Sequence, residues 1–308
     1  VLHYVIVRVL QGVLVIFLVS IASFGIMQAA PGSPVDILIG EAQVSDAQVE
    51  AITKKWGLDR PWYEQYGTWL KNVVTGDFGR SVIRTGVPVR DMVAEAAPVT
   101  LRLNVLALLV AVVIAVPVGV IAGIKRYSPF DYVSMIGSTI GIAIPNYWIG
   151  LMLIIVFSLK LGWLPPYGSG SWKSYVMPVS VLALTEMAIL ARLSRGATAE
   201  ALSQDYVTTA RAKGLRESAV VTRHVVRNAL LPIVTILGYR MAFLLSGTIV
   251  VETVFAWPGI GSLLFASIDR KDYQVVQAIV LLLATIVVVA NLITDLVYAY
   301  IDPRIRIQ

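Results

Sequence analysis

Residues 205–232 read DYVTTARAKGLRESAVVTRHVVRNALLP. The stretch is polar, basic and helix-patterned, and it lies between two apolar spans of a chain that is otherwise mostly apolar. Asp205 to Lys213 predicts a short helix. Asp205 stands at its start and Arg211 and Lys213 in its last turn, both favourable to the helix dipole. Gly214 is placed to end it, because glycine takes the left-handed cap conformation without steric cost. Leu215, Ala219, Val220, Val225 and Val226 mark a second helix leading into the next apolar span. Helix, glycine turn and helix make a projecting knob. The small Ala210 and Ala212 on the first helix leave room for another protein's surface to dock closely. The alternative is an amphipathic loop lying on anionic lipid.

Outward from that stretch the chain is membrane. Of its 308 residues 57% are hydrophobic and 14% charged, with a mean hydropathy of +0.77. A soluble domain carries roughly 25% charged residues. The net charge of +6 sits at the ends of apolar spans, which reads as topology and not as nucleic-acid affinity. Cysteine is absent, which excludes a disulfide framework and a thiolate metal site.

Val9–Met27 is uncharged and longer than the apolar core of a signal peptide, so a retained first helix is expected over a cleaved leader. Leu103–Ile124 is a second span, followed by a short basic loop with Lys125, Arg126 and Asp131. Tyr132–Leu159 is a third. At about 1.5 Å per residue it is longer than a ~30 Å hydrocarbon core, so it must kink at Pro145, tilt, or pass one interface. Gly141 and Pro145 mark either a hinge or a static kink. Trp163, Tyr167, Trp172 and Tyr175 read as interface anchors. Tyr175–Ala191, Ala229–Val251 and Val275–Thr294 complete six spans, with a loop at Glu252–Gln274. The expected fold is an all-α integral membrane protein of six transmembrane helices. Its parts are the first helix over 1–30, an insertion over 31–98, and helices 2–6 over 99–308, with the polar loop at 196–228.

Pro31–Pro98 is the one extended soluble region, and it holds two more acids than bases. Ser45 caps a short helix stopped by Gly57. Pro61 opens another that carries Trp62, Tyr66, Trp69 and Leu70 on one face. Gly76-Asp77-Phe78-Gly79 reads as a turn. The segment is too small for an independent core and is expected to pack on the membrane part or a partner. Arg192–Arg227 holds seven Lys/Arg against three Asp/Glu. By the positive-inside rule both termini and residues 205–232 are cytoplasmic and residues 31–98 extracytoplasmic.

An ionisable residue inside a span is a functional candidate by default. Arg240 falls near the middle of the fifth span and Glu252 at its outer end. Arg240 either pairs with an acid of a partner subunit or lines a pore, where Arg240 and Glu252 could meet the termini of a zwitterionic peptide or act as a gate. Glu186 and Arg192 read as structural. Asn104, Asn146 and Asn291 read as helix–helix glue before substrate ligands.

Residues 205–215 resemble the cytoplasmic coupling loop of ATP-binding-cassette importer permeases. In the general form Glu-Ala-Ala precedes the glycine. Here Thr208-Thr209-Ala210 precedes Gly214, and Pro232 lies further downstream. That departure resembles the "B"-type permeases of the oligopeptide/dipeptide/nickel group, as do PGSPVD at Pro31–Asp36, GLDRPWYEQYGTWL at Gly57–Leu70, GDFGRS at Gly76–Ser81, VETVFAWPGIG at Val251–Gly261 and DPRIR at Asp302–Arg306. The resemblance implies a type I importer permease fold in the bacterial cytoplasmic membrane. The chain would pair with a homologous "C"-type permease, with two cytoplasmic ATPases and with an extracytoplasmic binding protein. Asp205, Tyr206, Thr209, Ala210, Arg211, Ala212, Lys213, Gly214 and Leu215 would dock the ATPases. Trp62, Tyr66, Asp77 and Trp257 become candidates for contact with the binding protein, and Arg240, Glu252, Asn146 and Pro145 for the pore or gate. The chain has no G-x-x-x-x-G-K-[ST] phosphate loop, so ATP hydrolysis, with its ATP and magnesium, falls to the partner ATPases, and the resemblance implies a transport subunit and not an enzyme.

A secondary transporter would need its own coupling-ion site and usually internal repeats, and no repeat is visible. A membrane receptor or scaffold would not need the broken third span or the intramembrane Arg240. Within the importer class short peptides, including modified ones such as glutathione, lead over bare nickel, because the two histidines, His3 and His224, lie on or near the cytoplasmic side and cysteine is absent; a nickel or chelated-metal importer of the same family is the alternative.

Overall fold

Pro145 turns the expected third span through 98°, dividing it into α4 (Pro129–Ala143) and α5 (Asn146–Leu153, continuing to Lys160 as a wider π-helical turn). Proline lacks the N–H that would continue the α4 ladder and disfavours helix in the residue before it. Ile144 accordingly leaves the helix with ψ 128°. The computed structural model describes residues 2–29, 50, 53–54, 59–81, 83–84, 86–241 and 248–301, with backbone alone at 2–4, 241 and 295–301. The expected helix from Ser45 to Gly57 and the motif at 302–306 fall almost wholly outside them. Described secondary structure is helical throughout, apart from one isolated bridge between Arg80 and Pro88.

The remaining helices are α1 (Leu2–Ala29), α2 (Trp62–Val74), α3 (Val89–Ile124), α6 (Trp172–Leu202), α7 (Asp205–Ala212), α8 (Glu217–Val220), α9 (Arg227–Met241), α10 (Ile249–Val254), α11 (Ile260–Asp269) and α12 (Tyr273–Ile301). Among the described residues five segments are long and apolar enough to cross a membrane: 5–29, 89–124, 172–202, 217–240 and 273–294. The α4–α5 pair meets the same measure only when its two halves are taken together across their 98° bend, which brings the number to six where the pair is counted as one span.

Several boundaries differ from the sequence reading. α3 starts at Val89, well before the uncharged run, and α6 runs on to Leu202 through Arg192 and Arg195. Hydropathy marks only the apolar part of a helix, whereas the backbone ladder propagates through polar residues once nucleated. The basic loop is shorter than expected, because Ser128 caps α4 and accepts the amide of Asp131, already in its first turn. The fifth membrane segment begins at Glu217, ahead of the expected Ala229, and Arg240 lies in the last described turn of α9. The expected loop from Glu252 contains the ten-residue α11.

The chain forms two units, Val1–Pro98 with Leu263–Gln308, and Val99–Ser262. In the first, α1 packs along α12, and a Cβ on Gly12 would lie 2.7 Å from Val288 Cγ1. α2 lies against α1 through a 2.8 Å Ser20–Tyr66 hydroxyl contact and through Phe24, whose ring meets Tyr66 edge-on at 5.4 Å. The GDFGRS turn then folds onto the start of α12. Gly79 (φ +80°) approaches Gln274 so closely that a Cβ would lie 2.6 Å from it, and the Ser81 hydroxyl donates to the buried Asp272 carboxylate.

In the second unit a seam of small residues on α3, Ala107, Ala111 and Ala115 continued by Gly119 and Gly123, faces α6. A Cβ on Gly119 would lie 2.4 Å from the Ala191 carbonyl, so glycine is required for the backbones to meet. Leu103, Met177, Val181, Leu190, Phe255 and Trp257 fill the rest of this core.

Candidate functional site

The glycine turn forms as the sequence predicts. α7 ends at Ala212, Gly214 takes φ +78°, and its amide donates to the Arg211 carbonyl at 2.9 Å. Val207 and Ala210 are buried against Ala201, Val220, Val225 and Ala229, which fixes α7 to the following helix. Ala210 is therefore small for internal packing and does not offer a contact to another protein, contrary to the sequence expectation. The outward surface consists of Asp205, Tyr206, Thr209, Arg211, Ala212, Lys213, Gly214 and Leu215. Arg211 bridges the turn to Glu217 with contacts of 2.6 and 3.1 Å.

Arg240 pairs within its own chain. Its Nη1 lies 3.2 Å from Glu186 Oε1, joining α9 to α6. From sequence Arg240 is expected either to meet an acid of a partner subunit or to line a pore, and Glu186 to be structural; the acid it meets is Glu186. Arg192 donates to the Thr139 hydroxyl at 3.3 Å. Asn146 accepts the Thr185 hydroxyl at 2.8 Å, so it joins α5 to α6 as glue.

Glu252 does not stand with Arg240. Its side chain is fully buried. Oε1 accepts the hydroxyls of Thr100 (2.7 Å) and Thr248 (2.9 Å), and Oε2 accepts the amides of Gly261 (2.7 Å) and Ser262 (3.0 Å). The carboxylate thus caps the N-terminus of α11, where unpaired amides and the helix dipole favour a negative charge. The Thr100 hydroxyl in turn accepts the amide of Ile260 at 2.8 Å. A charge so enclosed is not available to a passing solute, which corrects its place among pore candidates. Trp257 is corrected likewise. It is fully buried, edge-on to Tyr175 at 4.6 Å, and cannot present a surface to a binding protein. Tyr175 is thereby a core residue, while Trp163, Tyr167 and Trp172 remain exposed. Of the other surface candidates, Trp62 is 63% exposed, Tyr66 packs on α1, and Asp77 is exposed and accepts the Gly79 amide at 2.9 Å.

The sequence reading missed the buried Asp131, which binds Arg195 through both oxygens at 2.5 and 2.7 Å. The signal for it was present. Ser128-Pro129-Phe130-Asp131 is a capping pattern ahead of an apolar run. Thr100, Thr248 and the Ser81–Asp272 contact carried no such local sign.

Residues 115–307 match the family described as the binding-protein-dependent transport system inner membrane component, and residues 1–104 match the N-terminal part of such membrane components. The chain belongs to this permease family. It is 41% identical over 313 residues to the oligopeptide transport system permease protein AppB of Bacillus subtilis, covering 98% of this chain and 99% of that one. It is also 41% identical over 306 residues to the glutathione transport system permease protein GsiC of Escherichia coli K12, covering 99% of each. A crystal structure of an amino acid ABC transporter with histidines shares the fold, with a TM-score of 0.54 at 16% identity over 67% of this chain and 92% of that one. The permease is thus a multi-pass subunit of an ATP-binding-cassette importer of the peptide/nickel family, a transport protein and not an enzyme. Its family implies an ATPase, a substrate-binding protein and a permease partner.

Proposed function

We propose that this chain is the "B"-type half of a heterodimeric pore that passes short peptides, free or modified, from an extracytoplasmic binding protein into the cytoplasm. Its match along nearly the whole length of both a peptide and a glutathione permease supports that substrate class and does not favour nickel. The exposed surface of Asp205–Leu215 is the ATPase-docking loop. The observation that carries this reading is the exposed α7–Gly214 turn, anchored from beneath by Val207 and Ala210. With Val207 and Ala210 turned inward, α7 keeps little apolar surface to lay on lipid, which favours a protein partner that pushes on the knob over the lipid-surface alternative. Closure of two ATPases on bound ATP and magnesium would move the loop and switch the pore between outward- and inward-facing states. Both termini would be cytoplasmic, and α2 with the GDFGRS turn would belong to an extracytoplasmic scoop that meets the binding protein. The test is uptake by the complete importer in proteoliposomes, with internal ATP. ATP-dependent accumulation of labelled di- to pentapeptides, with no accumulation of nickel, is the expected result. Nickel uptake without peptide uptake would overturn it.

A further inference from the structure

Three acids of the second unit are buried or half-buried, and the structure settles them differently. Asp131, 1% exposed, gives both oxygens to one Arg195 guanidinium and takes the Tyr127 amide at 2.9 Å as a further donor. Glu252, 0% exposed, takes two hydroxyls and two amides. Both are finished structural sites, as buried carboxylates ordinarily are. Glu186 is not. Its Oε1 makes one contact of 3.2 Å with Arg240, and its enclosed Oε2 has no hydrogen-bond donor among the described residues. The two side chains keep 24% and 31% exposure.

Arginine carries five N–H donors in a fork that matches a carboxylate through two parallel bonds. The Asp131–Arg195 pair shows that geometry in this same unit, and Glu186 leaves it unused on Arg240. The pair lies within the apolar segments 172–202 and 217–240, flanked by Met187, Ile236 and Leu237. A part-exposed ion pair at such a position is too costly to face hydrocarbon, so this face meets water or protein.

We propose that Glu186 and Arg240 form a terminus-reading site for a zwitterionic short peptide. The peptide α-carboxylate takes the Arg240 fork and its α-ammonium takes Glu186. The inference rests on the peptide reading above and adds to it where the pore engages its cargo. Termini are common to all short peptides, so such a site admits varied side chains while rejecting uncharged solutes. An extended peptide spans up to about 3.6 Å per residue, so its two ends cannot both fit at the present 3.2 Å contact. Occupancy therefore separates the pair and frees α6 from α9 at this point.

The test is equilibrium dialysis of a labelled tripeptide against the permease–ATPase complex in nanodiscs, without the binding protein. Three forms are used: free termini, C-amide and N-acetyl. On the wild-type complex, blocking either end is expected to weaken binding by about tenfold or more, the loss of a charge-assisted hydrogen bond. This arm needs no variant to fold. Arg240→Gln should bring the free peptide down to the C-amide level, and Glu186→Gln down to the N-acetyl level, while Arg240→Lys, which keeps the charge and loses the fork, should fall between wild type and Arg240→Gln. Absence of binding, binding indifferent to blocking, or equal loss of all three forms in both variants would overturn the site, the last making the pair only a latch between α6 and α9. Uptake by the complete importer is measured beside it. Intact peptide uptake with no terminus dependence fails this inference alone, and no uptake of any peptide fails the peptide reading and this site with it.

Discussion

Thr100 and Glu252 stand 152 positions apart in sequence and share a 2.7 Å hydrogen bond inside the core of the second unit. One hydroxyl and one carboxylate between them cap α11 and tie it to α3. Glu252→Ala would strand two hydroxyls and two amides in a dry interior, at a cost of about 3 kcal/mol or more. The expected outcome is a large fall in the melting temperature of the detergent-purified complex. Glu252→Gln should fall between, because it keeps one acceptor oxygen and turns an amide donor toward donors. If Glu252→Ala melts with the wild type and loses only transport, the carboxylate faces the pore after all.

The glycines of the VETVFAWPGIG motif follow from the same carboxylate. A Cβ on Gly259 would lie 2.4 Å from Thr100 Oγ1 and 2.5 Å from both Glu252 oxygens. Gly259→Ala must displace the cap and should destabilise by about 1–3 kcal/mol. Gly196→Ala is the control, since it meets nothing within 4 Å and lies inside α6. It should be neutral or stabilising by up to about 1 kcal/mol. Thermal melts of the two variants side by side check the contrast.

Trp62 and Trp257 read alike in sequence, as aromatics on an extracytoplasmic surface, and the structure separates them. Trp257→Ala empties a fully buried site against Tyr175 and should cost about 3–5 kcal/mol. Trp62→Ala should change stability by no more than about 0.5 kcal/mol. On the proposed scoop assignment it should still weaken stimulation of the ATPase by the binding protein. Equal stimulation in wild type and Trp62→Ala would remove Trp62 from that surface.

The spans, the break at Pro145 and the Gly214 turn were legible because each is a local property: an uncharged run, a missing N–H, a residue that tolerates positive φ. Partners were not. Nothing near Arg240 announces Glu186, and nothing near Glu252 announces Thr100, because such pairings are fixed by which helix faces meet. The misplacement of Trp257 has a similar cause. A tryptophan beside a proline and two glycines looks like a loop anchor until the cap on α11 folds that loop inward. Ala210 shows a subtler limit. Its small size was rightly noticed, but periodicity alone does not tell whether a small residue admits a neighbour in the same chain or in another.

Gly214→Glu separates coupling from folding. The site is open, with nothing within 4 Å of an added Cβ, so a side chain meets no obstacle within this chain. The local cost is that of holding a non-glycine residue at φ +78°, about 1–2 kcal/mol at one exposed turn. That is too little to unfold a helical membrane protein whose core lies elsewhere. The variant should therefore reach the membrane at near wild-type abundance and pair with its permease partner. On the proposed docking surface, however, it adds bulk and a negative charge beside Lys213 and Leu215. ATPase recovered with the tagged complex should drop severalfold, and ATP-driven uptake should be lost. Gly214→Ala carries the same backbone strain without the charge or length and should retain most of both. Loss in Gly214→Ala equal to that in Gly214→Glu would assign the effect to the turn's conformation, and full uptake by Gly214→Glu would show that the ATPases dock somewhere else.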